Sequence, residues 1–309
     1  MSAAPPNFAV NLVNVTKRFG QQVAVNDLTL QVPVGSIYGF IGPNGSGKTT
    51  TIRMILHIVL PDGGTVEVLG QQGTRAANDA IGYLPEERGL YKKMTVRRLL
   101  VYYAGLKGMA AVEAGLAADE WLERMSLSAW AGKKLETLSK GMAQKVQFIS
   151  SVISRPKLLI LDEPFSGLDP VNLEVLRTAI LGLKKQGTTV IFSTHNMSTA
   201  EEMCDYVFMI YRGNKVLDGT LASIRARFGS DTIRLRVQGG AEALRGIPGV
   251  EVSRDFGQHL ELRNTGDPQG MLQAIAARAR VELFEVTTPS LHDIFVRIAQ
   301  PQAAEAAHA

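Results

Sequence analysis

The sequence predicts an α/β fold with a parallel sheet at its core, followed by a smaller α+β domain. Three observations predict it. The apolar runs Ile37–Ile41, Leu158–Leu161 and Thr189–Phe192 are too continuous for strands with one wet face, and suit strands buried on both. Helical periodicities separate them, as in a chain of βαβ units. A glycine-rich turn, Gly42-Pro43-Asn44-Gly45-Ser46-Gly47-Lys48-Thr49-Thr50, follows the first run and opens a helix at Thr51–Val59. Strand, glycine-rich turn and helix together form a cradle for an anion, with main-chain N–H groups turned inward and the positive helix end behind them. The spacing G-x-x-x-x-G-K-T points to a nucleoside triphosphate, with Lys48 reaching the phosphates, Thr49 ligating Mg²⁺ and Thr50 close enough to add a phosphate contact. A plain surface turn with an incidental lysine is the simpler alternative, and the flanking strand and helix argue against it.

The remaining elements follow in order. Met1–Asn7 reads as a flexible tail. Ala9–Val15 and Leu28–Val32 alternate as strands, and between them Phe19 offers an aromatic face. Pro61-Asp62-Gly63-Gly64 breaks the chain before strands at Thr65–Leu69 and Ile81–Leu84. From Thr95 to Arg155 the pattern is helical, a small helical subdomain spanning about residues 88–155. Within it, Ser139 and Gly141 of Leu138-Ser139-Lys140-Gly141-Met142 open a helix. They give either an ordinary N-cap or a second anion-binding end. Leu158–Leu161 runs into Asp162-Glu163, two carboxylates at a strand's carboxyl end, where open α/β sheets bind ligands. Burying them is costly unless a cation is at hand. Asp162 would then hold magnesium and Glu163 would polarise the attacking water. Asp169-Pro170 is a helix start, with aspartate as N-cap and proline at the first helical position. His195 follows the strand Thr189–Phe192 and emerges at the same sheet edge as Glu163. Tyr206–Tyr211 and Lys215–Leu217 are late strands. Beyond Asp231 the order becomes βαββαβ, with strands at Thr232–Val237, Val250–Asp255, His259–Arg263 and Val281–Val286 and helices at Ala241–Arg245 and Met271–Ala279. This is the order of a ferredoxin-like domain. A last helix opens near Ser290, and the Ala/Gln-rich residues 301–309 read as a disordered tail.

Composition narrows the function classes. A chain of 309 residues allows two domains. The net charge of +4 comes from scattered pairs such as Lys92-Lys93, Arg97-Arg98 and Lys184-Lys185, not from a basic block, so no nucleic-acid partner is expected. Cys204 is the single cysteine, so no intrachain disulfide forms, which fits a reducing compartment. No signal peptide is evident, and no apolar run reaches the length of a membrane span. Any spans must come from another chain.

Taken in order, the loop at 42–50, the Glu86 position, the Leu138–Met142 segment, the Asp162-Glu163 pair, Asp169 and His195 resemble the ATP-binding cassette (ABC) ATPases over about the first 225 residues. The resemblance implies a P-loop NTPase cassette at 8–228, with a parallel core sheet, an antiparallel β subdomain and a helical subdomain. A C-terminal accessory domain would follow at 231–300. It implies ATP and Mg²⁺ as cofactors. Phe19 would stack on adenine, and Gly42–Thr50 would be the Walker A loop. Thr49, Asp162 and Glu86 would face the metal. Ser139 and Gly141 would be the signature donors, Asp169 would belong to the D-loop, and Lys48, Glu163 and His195 would do the chemistry. Two positions depart from the family pattern. Glu86 stands where glutamine is usual, and the signature reads Leu-Ser-Lys-Gly-Met rather than Leu-Ser-Gly-Gly-Gln. Hydrolysis remains the expectation, with its rate open.

Because such cassettes sandwich ATP in pairs, a homodimer or heterodimer is implied, together with a membrane-spanning permease. That places the chain in the cytoplasm, peripheral on the inner face of the cell membrane. Residues 82–91 and the extra domain look like the bacterial sodium- and drug-efflux exporters. The alternatives are a soluble cassette acting on ribosomes or DNA, a small-molecule kinase, and a nucleotide-dependent regulator without turnover.

Overall fold

The computed structural model describes residues 7–72, 79–87, 89, 91–228, 232–263 and 266–306. The chain divides into two compact units, Met1–Gly219 and Thr220–Ala309.

The first unit opens with a long hairpin, β1 (Phe8–Phe19) and β2 (Gln22–Pro33). Both strands run well past the alternating stretches read from sequence. Register shifts along β1 let them continue through residues that break the alternation. β3 (Ile37–Ile41) leads through the glycine-rich loop into α1 (Lys48–Ile55). That helix stops short of the expected Val59, because His57 takes a positive φ of 53°. β4 (Gly63–Val68) and β5 (Gln71–Gln72) complete a four-stranded antiparallel sheet in the order β2-β1-β4-β5.

β6 (Ile81–Leu84) precedes the helices α2 (Val96–Leu106), α3 (Ala111–Arg124) and α4 (Lys140–Val152). β7 (Leu158–Asp162), α5 (Pro170–Lys185), β8 (Thr189–Thr194), α6 (Met197–Met203), β9 (Tyr206–Tyr211) and β10 (Asn214–Thr220) follow. The second sheet has six strands in the order β10-β9-β3-β8-β7-β6. β3 lies parallel to both β8 and β9, and β7 lies parallel to both β6 and β8. Every residue of β3, β7 and β8 is buried, which is why these runs carry no polar alternation. Strands that point the same way deliver Gly42, Asp162-Glu163 and His195 to one edge. One core lies between the two sheets and α1 and includes Phe40 and Phe208, whose rings meet edge-on at 5.1 Å. A second joins the six-stranded sheet to α2–α5, where Trp121 and Phe148 meet edge-on at 6.0 Å. Among the described residues, no helix is long and apolar enough to cross a membrane.

The second unit holds α7 (Leu221–Phe228), β11 (Thr232–Val237), β12 (Val252–Asp255), β13 (Leu260–Arg263), α8 (Pro268–Ala276), β14 (Val281–Thr287) and α9 (Leu291–Ala306). Its sheet is antiparallel in the order β12-β13-β11-β14. This is the order of a βαββαβ chain whose first and third strands lie side by side. Ile233, Leu235, Leu262 and Ile275 fill its core. The first crossover holds only a 3-10 turn, Gly240–Leu244, where a helix was expected. Positive φ values at Gly239 and Gly240 favour a turn there.

Two sequence boundaries need correction. The units divide at Gly219/Thr220, so α7 goes with the second unit and not with a cassette ending at 228. Residues 301–306, read as disordered, continue α9. The tail expected at Met1–Asn7 lies outside the described residues except for Asn7, whose carbonyl accepts a hydrogen bond from the Val34 N–H at 3.3 Å.

Candidate nucleotide site

The loop's glycines are sterically required at two points. Gly42 has φ 154°, and a Cβ there would lie 2.3 Å from the Ile210 carbonyl oxygen and 2.7 Å from Ser46 Oγ. Gly47 has φ 115°, and its Cβ would meet the Ala24 carbonyl oxygen at 2.5 Å. Gly47 is also the N-cap of α1, which has no side-chain cap and no acid in its first turn. The positive helix end is therefore left open to an anion. Lys48 is buried beside it, and its Nζ donates to the carbonyl oxygens of Gly42 at 2.7 Å and Pro43 at 3.1 Å. Burial holds this ammonium below the usual lysine range, against the pull of Glu163, Asp162 and Glu86.

The acids face the loop from β7. Asp162, the last residue of that strand, is only 1% exposed. Its Oδ1 accepts a short hydrogen bond from Ser193 Oγ, across the Asp162–Ser193 register of β7 and β8. Its Oδ2 is buried and has no hydrogen-bond partner among the described residues. Glu163 sits just beyond the strand at φ 50°, a left-handed conformation that glutamate rarely adopts. Its N–H donates to the Ser193 carbonyl oxygen at 3.2 Å. Its Oε1 accepts from the His195 N–H at 3.0 Å and lies 2.9 Å from His195 Nδ1.

A cleft of about 460 Å³ joins these groups. It is lined by Phe19, Asn44, Gly45, Gly47, Lys48, Thr49, Thr50, Glu86, Asp162 and Glu163, all singled out from sequence, and by Gln22 and Ala24, which were not. Gly42, Pro43 and Ser46 belong to the loop but do not line the cleft. Ser46 Oγ is buried without a partner among the described residues. Phe19 is half-exposed, with Lys17 Nζ 5.5 Å from its ring centre.

His195 does not line the cleft and meets it only through Glu163, and three more predicted residues lie elsewhere. Ser139, Gly141 and Asp169 do not line this cleft. Ser139 caps α4, its Oγ accepting from the Met142 N–H at 3.3 Å. Asp169 caps α5, accepting from the Asn172 N–H at 2.9 Å and from Asn172 Nδ2 at 2.5 Å. These bonds hold its carboxyl below the usual aspartate range. A Cβ on Gly141 would lie 3.3 Å from Asn172 Nδ2, so the two capped helix starts are neighbours.

The donor set suits a small hard cation. Thr49 offers a hydroxyl, Glu86 and Asp162 offer carboxylates, and the unpartnered Asp162 Oδ2 lacks only a positive ligand. Among the described residues, no group of three His, Cys, Asp or Glu could hold a metal by itself. Mg²⁺ bound with phosphate and water uses only one or two protein carboxylates and needs no such group.

A glycine-rich loop between strand and helix, a buried lysine and a carboxylate pair at the end of another parallel strand of the same sheet define a P-loop nucleoside triphosphatase. Residues 25–166 match the ABC transporter family model. Residues 219–299 match the C-terminal domain of DrrA1-3-like ATP-binding proteins. The chain is 42% identical to the uncharacterized ABC transporter ATP-binding protein YhaQ of Bacillus subtilis, covering 92% of this chain and 96% of that protein. It is 32% identical to the Nod factor export ATP-binding protein I of a Rhizobium species, covering 94% and 96%. A solved ATP-binding subunit of an ABC transporter aligns with a TM-score of 0.68 at 30% identity, covering 72% of this chain and 93% of that one. The chain therefore belongs to the ATP-binding subunits of ABC transporters, the ATPases that power transport.

Proposed function

We propose that this subunit drives export through a separate membrane-spanning partner, working as a pair of cassettes on the inner face of the membrane. The residue chemistry supports the hydrolytic half of this reading, and the single observation that carries it is the Glu163–His195 contact beside Lys48. Glu163 keeps one oxygen on the His195 main chain and ring, and its side chain faces the same cleft as the phosphate loop. In that position it takes the proton of an attacking water, while His195 orients the carboxylate. Lys48 exchanges its two carbonyl contacts for phosphate oxygens. Phe19 stacks on the base. Thr49, Asp162 and Glu86 would hold Mg²⁺, which when bound supplies positive charge against the phosphates.

Ser139, Gly141 and Asp169 complete a second site only when another cassette brings its nucleotide to them. Export in particular is supported by the near full-length likeness to a Nod factor export ATP-binding protein.

Glu163→Gln should lower steady-state ATP turnover by about 10²–10⁴-fold with nucleotide binding retained. An unchanged rate would remove Glu163 as the base. The same variant, held with ATP and pulled down from detergent-solubilised membranes, should bring a stoichiometric multi-span protein with it. Recovery of ribosomal proteins or DNA instead would overturn the transporter reading.

A further inference from the structure

Glu86 and Glu163 face one cleft but are held very differently. Glu163 is fixed from the neighbouring strand, through Ser193 and His195. Glu86 sits in the segment after β6, where it lines the cleft as an exposed side chain. The main chain on either side of it is held by one amide. Gln147 Nε2, from the middle of α4, donates to the Pro85 carbonyl oxygen at 3.4 Å and to the Glu87 carbonyl oxygen at 3.3 Å. Only the NH₂ end can face two carbonyl oxygens, so the orientation of the amide is determined. Gln147 is 4% exposed, and its Oε1 is buried without a partner among the described residues. An apolar residue of the same size would avoid that unsatisfied oxygen. The amide is explained by what its other end grips.

One turn earlier, Gln144 Nε2 donates to the Pro164 carbonyl oxygen at 3.1 Å, next to Glu163. The same helix begins at Ser139. We infer that Gln147 is a positioning residue for Glu86: it straddles that residue from α4 and sets where its carboxylate stands in the nucleotide cleft. The Glu86 segment is thereby carried by the helical subdomain, whereas Glu163 stays with the sheet. This rests on the reading above that Glu86 faces the metal–nucleotide complex.

The test is a double-mutant cycle on the full chain with Glu86→Ala, Gln147→Leu and the double variant. It is read as the affinity for a fluorescent ATP analogue in Mg²⁺ relative to that in EDTA, with thermal melting as the folding control. Gln147→Met, closer in shape to glutamine, repeats the measurement should the leucine variant melt early. Gln147→Leu should weaken the Mg²⁺-dependent part of binding by about tenfold. It should leave binding in EDTA unchanged and add nothing in the Glu86→Ala background. Equal effects in both backgrounds, or no effect of either Gln147 variant while Glu86→Ala has one, overturns the positioning role. No effect of Glu86→Ala removes Glu86 from the metal side, and the role of Gln147 falls with it.

Discussion

The edge of the six-stranded sheet and the corner where α4 and α5 begin both hold residues singled out from the sequence, and they are built in opposite ways. At the sheet edge Lys48, Asp162, Glu163 and Ser193 are buried, His195 is exposed, and the groups are bonded to one another or to the loop. Asp162 is bound to Ser193, Glu163 to His195, and Lys48 to the loop that it will serve. At the helix corner they are exposed, and their hydrogen bonds are local caps, Ser139 to Met142 and Asp169 to Asn172. A buried, mutually bonded polar cluster is held in place by its own chain and awaits only its ligand. A capped helix start on the surface is stable by itself and gains a further role only when something is brought to it. On the proposed pairing of cassettes, the sheet edge is a site and the corner is half of one.

The comparison can be broken most forcibly at the loop. Gly42→Ala places a methyl 2.3 Å from a main-chain oxygen. It should cost about 3 kcal/mol of stability and abolish ATP binding. A variant that melts and binds like the parent would mean that the loop is not the fixed cradle described. The next effect concerns sharing between copies. If the corner completes a partner's site, Lys48→Ala and Ser139→Ala chains, each inactive alone, should recover activity when mixed. The expected recovery is about one quarter of wild-type turnover, since half of random pairs are mixed and each mixed pair holds one intact site. No recovery, with pairing verified by light scattering, would return the corner to a purely structural role.

Two smaller effects sharpen the structural side. Removing the cap with Ser139→Ala should lower stability by about 1 kcal/mol in a denaturant titration. The depressed pKa of Asp169 gives the last prediction. Its cap contributes fully above the ordinary aspartate value of about 3.9 and is lost as pH falls through the lower folded value. Asp169→Asn should therefore flatten the acid limb of the melting curve while leaving neutral pH nearly unchanged. A parallel acid limb in both proteins would mean that protonating Asp169 costs the cap nothing.

Most of the sheet edge was legible in the sequence because each part has a local signature. Continuous apolar runs marked β3, β7 and β8, the glycines marked the loop, and Asp169-Pro170 marked the start of α5. What escaped notice are residues whose partners lie far away in sequence. Ser193 reads as a polar end to an apolar run until the β7–β8 register sets it opposite Asp162. Gln144 and Gln147 look like ordinary helix-surface residues, yet both are buried. Only tertiary packing shows that their amides face main-chain oxygens about 20 and 60 positions away. Helix and strand ends shifted for a related reason. Bulges in β1 and positive φ at His57 are backbone events with weak side-chain signals.

The bare start of α1 has a consequence for how the protein persists in a cell. An uncapped positive helix end with a buried lysine beside it is electrostatically frustrated until an anion arrives. Nucleotide is then a folding partner as well as a fuel. At about 100 times its dissociation constant a ligand adds about 2.7 kcal/mol to the native state by mass action alone. Wherever nucleotide exceeds its dissociation constant the native state is held further from unfolding, and withdrawing nucleotide removes that margin without any change in sequence.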